Sequence, residues 1–91
     1  MSNADPRHEL RKEPRVAARG NVHLHFEDPL AVDVEANLLD ISGSGFRASH
    51  QCVMLSPGLL VEFRHKLKRG RARVIWTQLR DGQHVSGFMI L

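Results

Sequence analysis

The chain is short of the residues that staple, span or stack. Cys52 is its only cysteine among 91 residues, so an internal disulfide or a thiolate metal cluster is excluded, and with it a secreted cross-linked scaffold. Tyrosine is absent and aromatic side chains make up 5% of the sequence, too few to line an exposed groove that stacks successive bases. The polar start Met1-Ser2-Asn3-Ala4-Asp5-Pro6 has no apolar stretch of the kind a signal peptide needs. No apolar run approaches bilayer length, so the expected location is the cytoplasm. Paired acid–base carboxylates, a nucleophile triad and a metal set of sensible spacing are all missing, which speaks against an enzyme.

What charge there is lies in blocks. Residues 1–20 hold five basic and three acidic side chains, and Asn21 to Phe63 holds six carboxylates against the single Arg47. From Arg64 to Arg80 the chain carries seven cations and no acid. Two basic segments thus flank an acidic middle, and a fold that joins them concentrates anions.

The hydrophobic pattern has a period of two. Val22, Leu24 and Phe26 alternate with Asn21, His23 and His25; Val32, Val34, Ala36 and Leu38 lie opposite Asp33, Glu35 and Asn37. Glu27-Asp28-Pro29, Ser56-Pro57-Gly58, a charged tip from Lys66 to Gly70 and Arg80-Asp81-Gly82 punctuate the strands. Ala72, Val74 and Trp76 share one face in this reading, which assigns Trp76 to the core. Gln51 to Leu55 admits at most a brief helix. Six or so short strands at this spacing suggest an antiparallel barrel or a strongly curled sheet. The organisation expected is an arm over residues 1–20 and a barrel over residues 21–91. Leu91 ends the sequence within an apolar strand, which leaves either a C-terminus tied into the sheet or a chain cut short of a further element.

Two short patterns carry the candidate chemistry. Arg11 and Arg15 are four apart in the arm; guanidinium groups grip phosphates and the O6/N7 edge of guanine through paired hydrogen bonds. A chain with ten arginines yields roughly one such spacing by chance, so the pair alone decides little. The turn Asp40-Ile41-Ser42-Gly43-Ser44-Gly45 is far rarer and reads Asp-x-Ser-x-x-Gly. It offers a carboxylate for the donor edge of guanine, a hydroxyl, and a backbone open to close approach. Its structural alternative is a turn in which Asp40 and Ser42 cap their own backbone.

With both patterns in this order, the sequence resembles the PilZ domain family, small bacterial receptor modules for cyclic di-GMP. Gly45-Phe46-Arg47-Ala48-Ser49, Leu55-Ser56-Pro57-Gly58, Gly70 to Trp76 and Gly87-Phe88 extend the likeness to about residues 8–91. The resemblance implies an all-β fold, a six-stranded antiparallel barrel of split-barrel type with a flexible N-terminal arm that clamps the ligand. The C-terminal helix common in the family is absent or truncated here. It further implies that Arg11 and Arg15 bind phosphate and guanine and that Asp40 and Ser42 read the base, with Gly45 keeping the floor open. Arg7, Lys12, Arg47 and Arg19 are secondary phosphate candidates. Leu10 stands where some relatives carry arginine, which points to one ligand per domain. Cyclic di-GMP is then the ligand, no cofactor or membrane insertion is expected, and signalling passes through arm closure to a protein effector.

Two other readings use the same residues: a small nucleic-acid-binding barrel resting on Arg64 to Arg80, and a ligand-free adaptor of the same fold. His23 and His25 share a strand face and, with His50 or His65, offer weak metal-ligand spacing without a fixed carboxylate or cysteine. Cys52 reads as a half-buried thiol.

Overall fold

The computed structural model describes residues 15–66 and 68–91. The strands are β1 (Val16–Ala17), β2 (Asn21–Phe26), β3 (Val32–Ile41), β4 (Gly45–His50), β5 (Leu60–His65), β6 (Lys68–Arg80) and β7 (Gln83–Ile90). All neighbours run antiparallel, in the order β1-β3-β2-β5-β6-β7-β4, and an additional β3–β4 pairing closes the circle. The result is the expected six-stranded barrel, formed by β2 to β7, with β1 as a short extra strand. The described residues contain no helix, including the stretch from Gln51 to Leu55.

Local chemistry explains the hairpins. Asp81 (φ 51°) and Gly82 (φ 80°) both adopt left-handed angles, the two-residue geometry whose twist matches that of the flanking strands. The β5–β6 hairpin is tighter than the expected tip, because His65 already pairs with Lys68. Gly20 (φ 113°) separates β1 from β2. The two run along the same edge of β3, where the Ala18 N–H donates to the Leu39 carbonyl and the Leu38 N–H to that of Gly20.

Alternation fills the interior. Val22, Leu24 and Phe26 of β2 meet Val34, Ala36 and Leu38 of β3, Val61 and Phe63 of β5, Ala72 and Val74 of β6, and Phe88 of β7. At the centre Phe46 stacks on Phe88 with ring centroids 4.6 Å apart and meets Phe63 at 5.2 Å. Leu55, on the long β4–β5 connection, adds a further fully buried side chain.

The alternation fails at two bulges. Pairing of β3 with β4 shifts between Leu38 and Asp40, and pairing of β6 with β7 shifts between Val74 and Trp76. A bulge inserts one residue on one strand, so every later side chain exchanges faces. Leu38 points inward opposite Ala48, whereas Asp40 lies outward opposite Arg47. Val74 points inward opposite Phe88, whereas Trp76 lies outward opposite Gly87. The assignment of Trp76 to the core is therefore corrected: the bulge at Ile75 turns it out.

Candidate functional site

Cross-strand partners share a face of the sheet, so the register places one row of side chains across the outside of the barrel. Ala17 of β1 pairs with Asp40 of β3, Asp40 with Arg47 of β4, Arg47 with Gly87 of β7, and Gly87 with Trp76 of β6. The row presents a carboxylate, a guanidinium, a bare backbone and an indole in sequence.

Asp40 is the electrostatic centre of this row. Arg15 donates from Nη1 to its Oδ1 at 2.9 Å, and Arg47 donates to its Oδ2 from Nε at 2.8 Å and from Nη2 at 2.5 Å. Covered by both cations, Asp40 is only 7% exposed although it faces outward. Burial pushes its carboxyl up, but hydrogen bonding and charge from Arg47, then Arg15, outweigh this and hold it below the usual carboxylate range. The Arg47 guanidinium is held above its ordinary value, chiefly by its bonds to Asp40. Two chain segments remote in sequence thus meet at one carboxylate.

The turn after Asp40 is self-closed. The Ser42 N–H donates to the Gly45 carbonyl at 2.8 Å, with the Ser42 hydroxyl 3.4 Å from the same oxygen, and the Ile90 N–H donates to the Ser44 carbonyl. Gly45 is required by β7 itself: a Cβ there sits 2.4 Å from the Phe88 carbonyl oxygen. Glycine is needed here for close strand approach. Gly87 has a counterpart role, because a Cβ at that position sits 2.4 Å from Cε2 and Nε1 of Trp76. The indole therefore rests directly on the β7 backbone, with the Arg80 guanidinium carbon 5.8 Å from the ring centroid. A depression of about 180 Å³ runs between these features, lined by Arg15, Ser44, Gly45, Ile75, Trp76 and Met89 among others.

Arg15, Asp40, Ser42, Gly45 and Arg47 are accordingly neighbours on one end of the outer face. Arg7, Leu10, Arg11 and Lys12 lie outside the described residues. Trp76 and Gly87 join the site without having been singled out for it. A glycine inside a strand is itself a sign of close backbone approach, and Gly87 was the available clue.

A second constellation occupies the outer face of β2 and β3. His23 contacts Glu35 at 2.5 Å and Asp33 at 2.9 Å; His25 contacts Asp33 at 2.9 Å and Glu27 at 2.6 Å. These histidines do have carboxylate partners, contrary to the sequence reading, because the β2–β3 register sets His23 opposite Glu35 and His25 opposite Asp33. Hydrogen bonds from Glu27 and then Asp33 raise the His25 pKa, and His25 and then His23 lower that of Asp33. Among the described residues no group of three His, Cys, Asp or Glu side chains is arranged to hold a metal ion. Beside this ladder a concavity of about 460 Å³ is lined by Arg64, Arg69, Arg71 and Glu62 as well as both histidines.

No family model and no curated protein matches the chain. Among solved structures, the barrel superimposes on YcgR from Escherichia coli, crystallised in complex with c-di-GMP, with a TM-score of 0.69 and 18% sequence identity. The fold is PilZ-like. The match covers 89% of this chain and 38% of the YcgR chain, so the PilZ-like barrel corresponds to well under half of that protein. Among the described residues no helix is long and apolar enough to cross a membrane.

Proposed function

We propose that this chain is a cyclic di-GMP-binding domain rather than an enzyme, and that the ligand lies across the outer row from Arg15 to Trp76. The observation that carries this reading is the convergence of Arg15 and Arg47 on Asp40, immediately before the Ser42–Gly45 turn. The likeness in fold to a protein crystallised with that dinucleotide supports it.

Each part of the row has a task in this reading. Asp40 accepts from the donor edge of one guanine, and arginine takes the O6/N7 edge or a phosphate. Ser42 supplies a hydroxyl at the same edge. Arg11 and Arg15 carry the largest share, with Arg7, Lys12 and Arg47 as further phosphate contacts. Trp76, half-buried and flat against Gly87, offers its outer surface to a base. Micromolar binding needs about −8.2 kcal/mol, within reach of a few charge-assisted contacts and one stacking surface after the entropic cost of association. Closing the arm over the barrel then alters the surface met by a protein effector in the cytoplasm.

Titration calorimetry with cyclic di-GMP tests this. Binding in the micromolar range or tighter is expected, with at least ten-fold weakening in Arg11→Ala and Arg15→Ala and no binding of linear GMP. Unchanged affinity in both single variants overturns the assignment of the arginines, and absence of binding overturns the ligand.

One observation favours a second reading, in which the barrel binds nucleic acid. Arg64 pairs directly with Arg69 on the outer face of β5–β6, next to Arg71, and like charges held opposite one another call for an anion. A phosphate-tracking face loses affinity steeply with salt and accepts many sequences, whereas a dinucleotide site rejects mononucleotides.

A further inference from the structure

Strand β6 has two possible faces for its only tryptophan. In a straight strand Trp76 follows Ala72 and Val74 into the barrel. In the bulged strand Trp76 pairs with Gly87 on the outside, and Thr77 pairs with Ser86 on the inside. The bulge therefore exchanges an indole for a hydroxyl at the interior position, a choice that hydrophobic burial alone opposes.

A partly buried chain of hydrogen bonds favours the polar choice. The Cys52 backbone N–H donates to Nδ1 of His50 at 3.1 Å. Since Nδ1 accepts, the proton of the neutral imidazole sits on Nε2, which donates to Ser86 Oγ at 2.7 Å. Ser86, wholly buried, passes its own proton toward Thr77 Oγ1 at 2.6 Å, and the Thr77 hydroxyl points to the Val85 carbonyl at 3.4 Å. Every donor has an acceptor in one continuous direction, an arrangement that strengthens each bond. The same proton placement denies Ser86 a role as a nucleophile, because Nε2 is already protonated and cannot act as its base.

We infer that the His50–Ser86–Thr77 chain is a register lock, which holds the β6 bulge and thereby keeps Trp76 on the outer face beside Arg47. Ser86 and Thr77 are positioning residues for that face. A slip of one residue withdraws Thr77 and leaves the buried Ser86 proton without an acceptor, which is the disfavoured outcome. The consequence for ligand binding rests on the cyclic di-GMP reading; the lock itself does not.

Trp76 is the sole tryptophan, so its emission and its quenching by acrylamide report the register without any ligand. Ser86→Ala removes the donor to the Thr77 hydroxyl and the acceptor of the His50 Nε2–H, and is expected to draw the indole inward, with blue-shifted emission and at least two-fold less quenching. Thr77→Ser keeps the hydroxyl that accepts from Ser86, so T77S is expected to hold emission and quenching at the wild-type values. A merely stabilising network lowers the unfolding midpoint in S86A without moving the indole. Wild-type emission and quenching in S86A overturn the lock, as does T77S displaced as far as S86A. In parallel titrations, cyclic di-GMP affinity is expected to fall at least five-fold in S86A and to be retained in T77S. A displaced indole in S86A but not in T77S, with no cyclic di-GMP binding in any variant, wild type included, supports the lock and defeats the ligand reading.

Discussion

Gly87→Ala isolates the contact between Trp76 and the strand beneath it. The new Cβ lies 2.4 Å from Cε2 and Nε1 and 2.8 Å from Cζ2 of the indole. Carbon contacts settle near 3.5–4.0 Å, so a withdrawal of about 1 Å is required. The backbone of β7 cannot supply it, because Gly87 is held between Arg47 on one side and Trp76 on the other. The indole must therefore tilt toward solvent. Overpacking of this kind costs about 1–3 kcal/mol, and removing a strand glycine returns roughly 0.5–1 kcal/mol of backbone entropy. A net loss of about 1–2 kcal/mol remains, which for a domain of this size lowers the melting temperature by about 5–15 °C. Thermal unfolding followed by Trp76 emission should show that drop together with a red-shifted folded baseline and stronger acrylamide quenching. Unchanged midpoint and unchanged emission would refute the packing of Trp76 on Gly87 and, with it, the outward register of β6.

Gly45→Ala meets a backbone carbonyl, the Phe88 oxygen at 2.4 Å, rather than a side chain free to swing. Its loss should reach or exceed the upper end of the same range of about 1–3 kcal/mol, and amide exchange of β4 and β7 should rise locally. Asp40→Asn keeps shape but removes the charge gripped by Arg15 and Arg47, so urea denaturation should report a loss of about 1–2 kcal/mol. Because Asp40 has a lowered pKa in the fold, its contribution is complete above the unfolded carboxylate value and disappears as pH falls through the folded one; the acid limb of stability against pH should be shallower in the variant. Burial, then the charge of neighbouring His84, lowers the His50 pKa, so its contribution is complete above the ordinary imidazole value near 6.5 and is lost on acidification. His25 is raised by Glu27 and Asp33 and acts with the opposite sign, stabilising below the ordinary value and fading as pH rises through the folded one. Proton NMR titration should find the His25 ring titrating above, and the His50 ring below, the ordinary value; the reverse order would contradict both environments.

Much of the fold was legible because its strands obey the two-residue period. Val22, Leu24 and Phe26 point inward as their spacing dictates, Asp81-Gly82 makes the turn its residues prefer, and the break in pattern at Asp40 coincides with a bulge. Of the candidate site residues, Asp40, Ser42 and Gly45 come together through the local path of the chain, and Arg15 joins them through its ion pair with Asp40. Trp76 was misread because a period of two carries through Ile75 on paper, whereas the interior selects a hydroxyl for Ser86. That choice depends on a strand ten residues further along the chain. His23 and His25 were judged to lack carboxylates because their partners sit across a hairpin; counting back from the Glu27-Asp28-Pro29 turn pairs them with Glu35 and Asp33.

The outer face satisfies its own charges, and under the proposed reading this shapes how an anion enters. A carboxylate offers about four acceptor positions, and Asp40 already receives three bonds, two from Arg47 and one from Arg15. Arg47 holds one oxygen through two donors with a side chain 33% exposed, while Arg15 holds the other through one donor and is 47% exposed. Arg15 is therefore the exchangeable partner. Under the proposed reading it leaves Oδ1 for a phosphate, and the donor edge of guanine takes its place. Such an exchange conserves the number of charge-assisted bonds, so the net affinity must come from what is newly covered, the indole surface and the second phosphate. Arg47 stays on Asp40 through Nε and Nη2, which leaves Nη1 for a phosphate, and keeps the carboxylate ionised after Arg15 departs. Arg47→Ala should then weaken cyclic di-GMP binding although Arg15 and Asp40 are intact, because Asp40 left with a single cation holds Arg15 more tightly and releases it less readily. Tighter binding in that variant would show that Arg47 competes with the ligand instead of preparing its place.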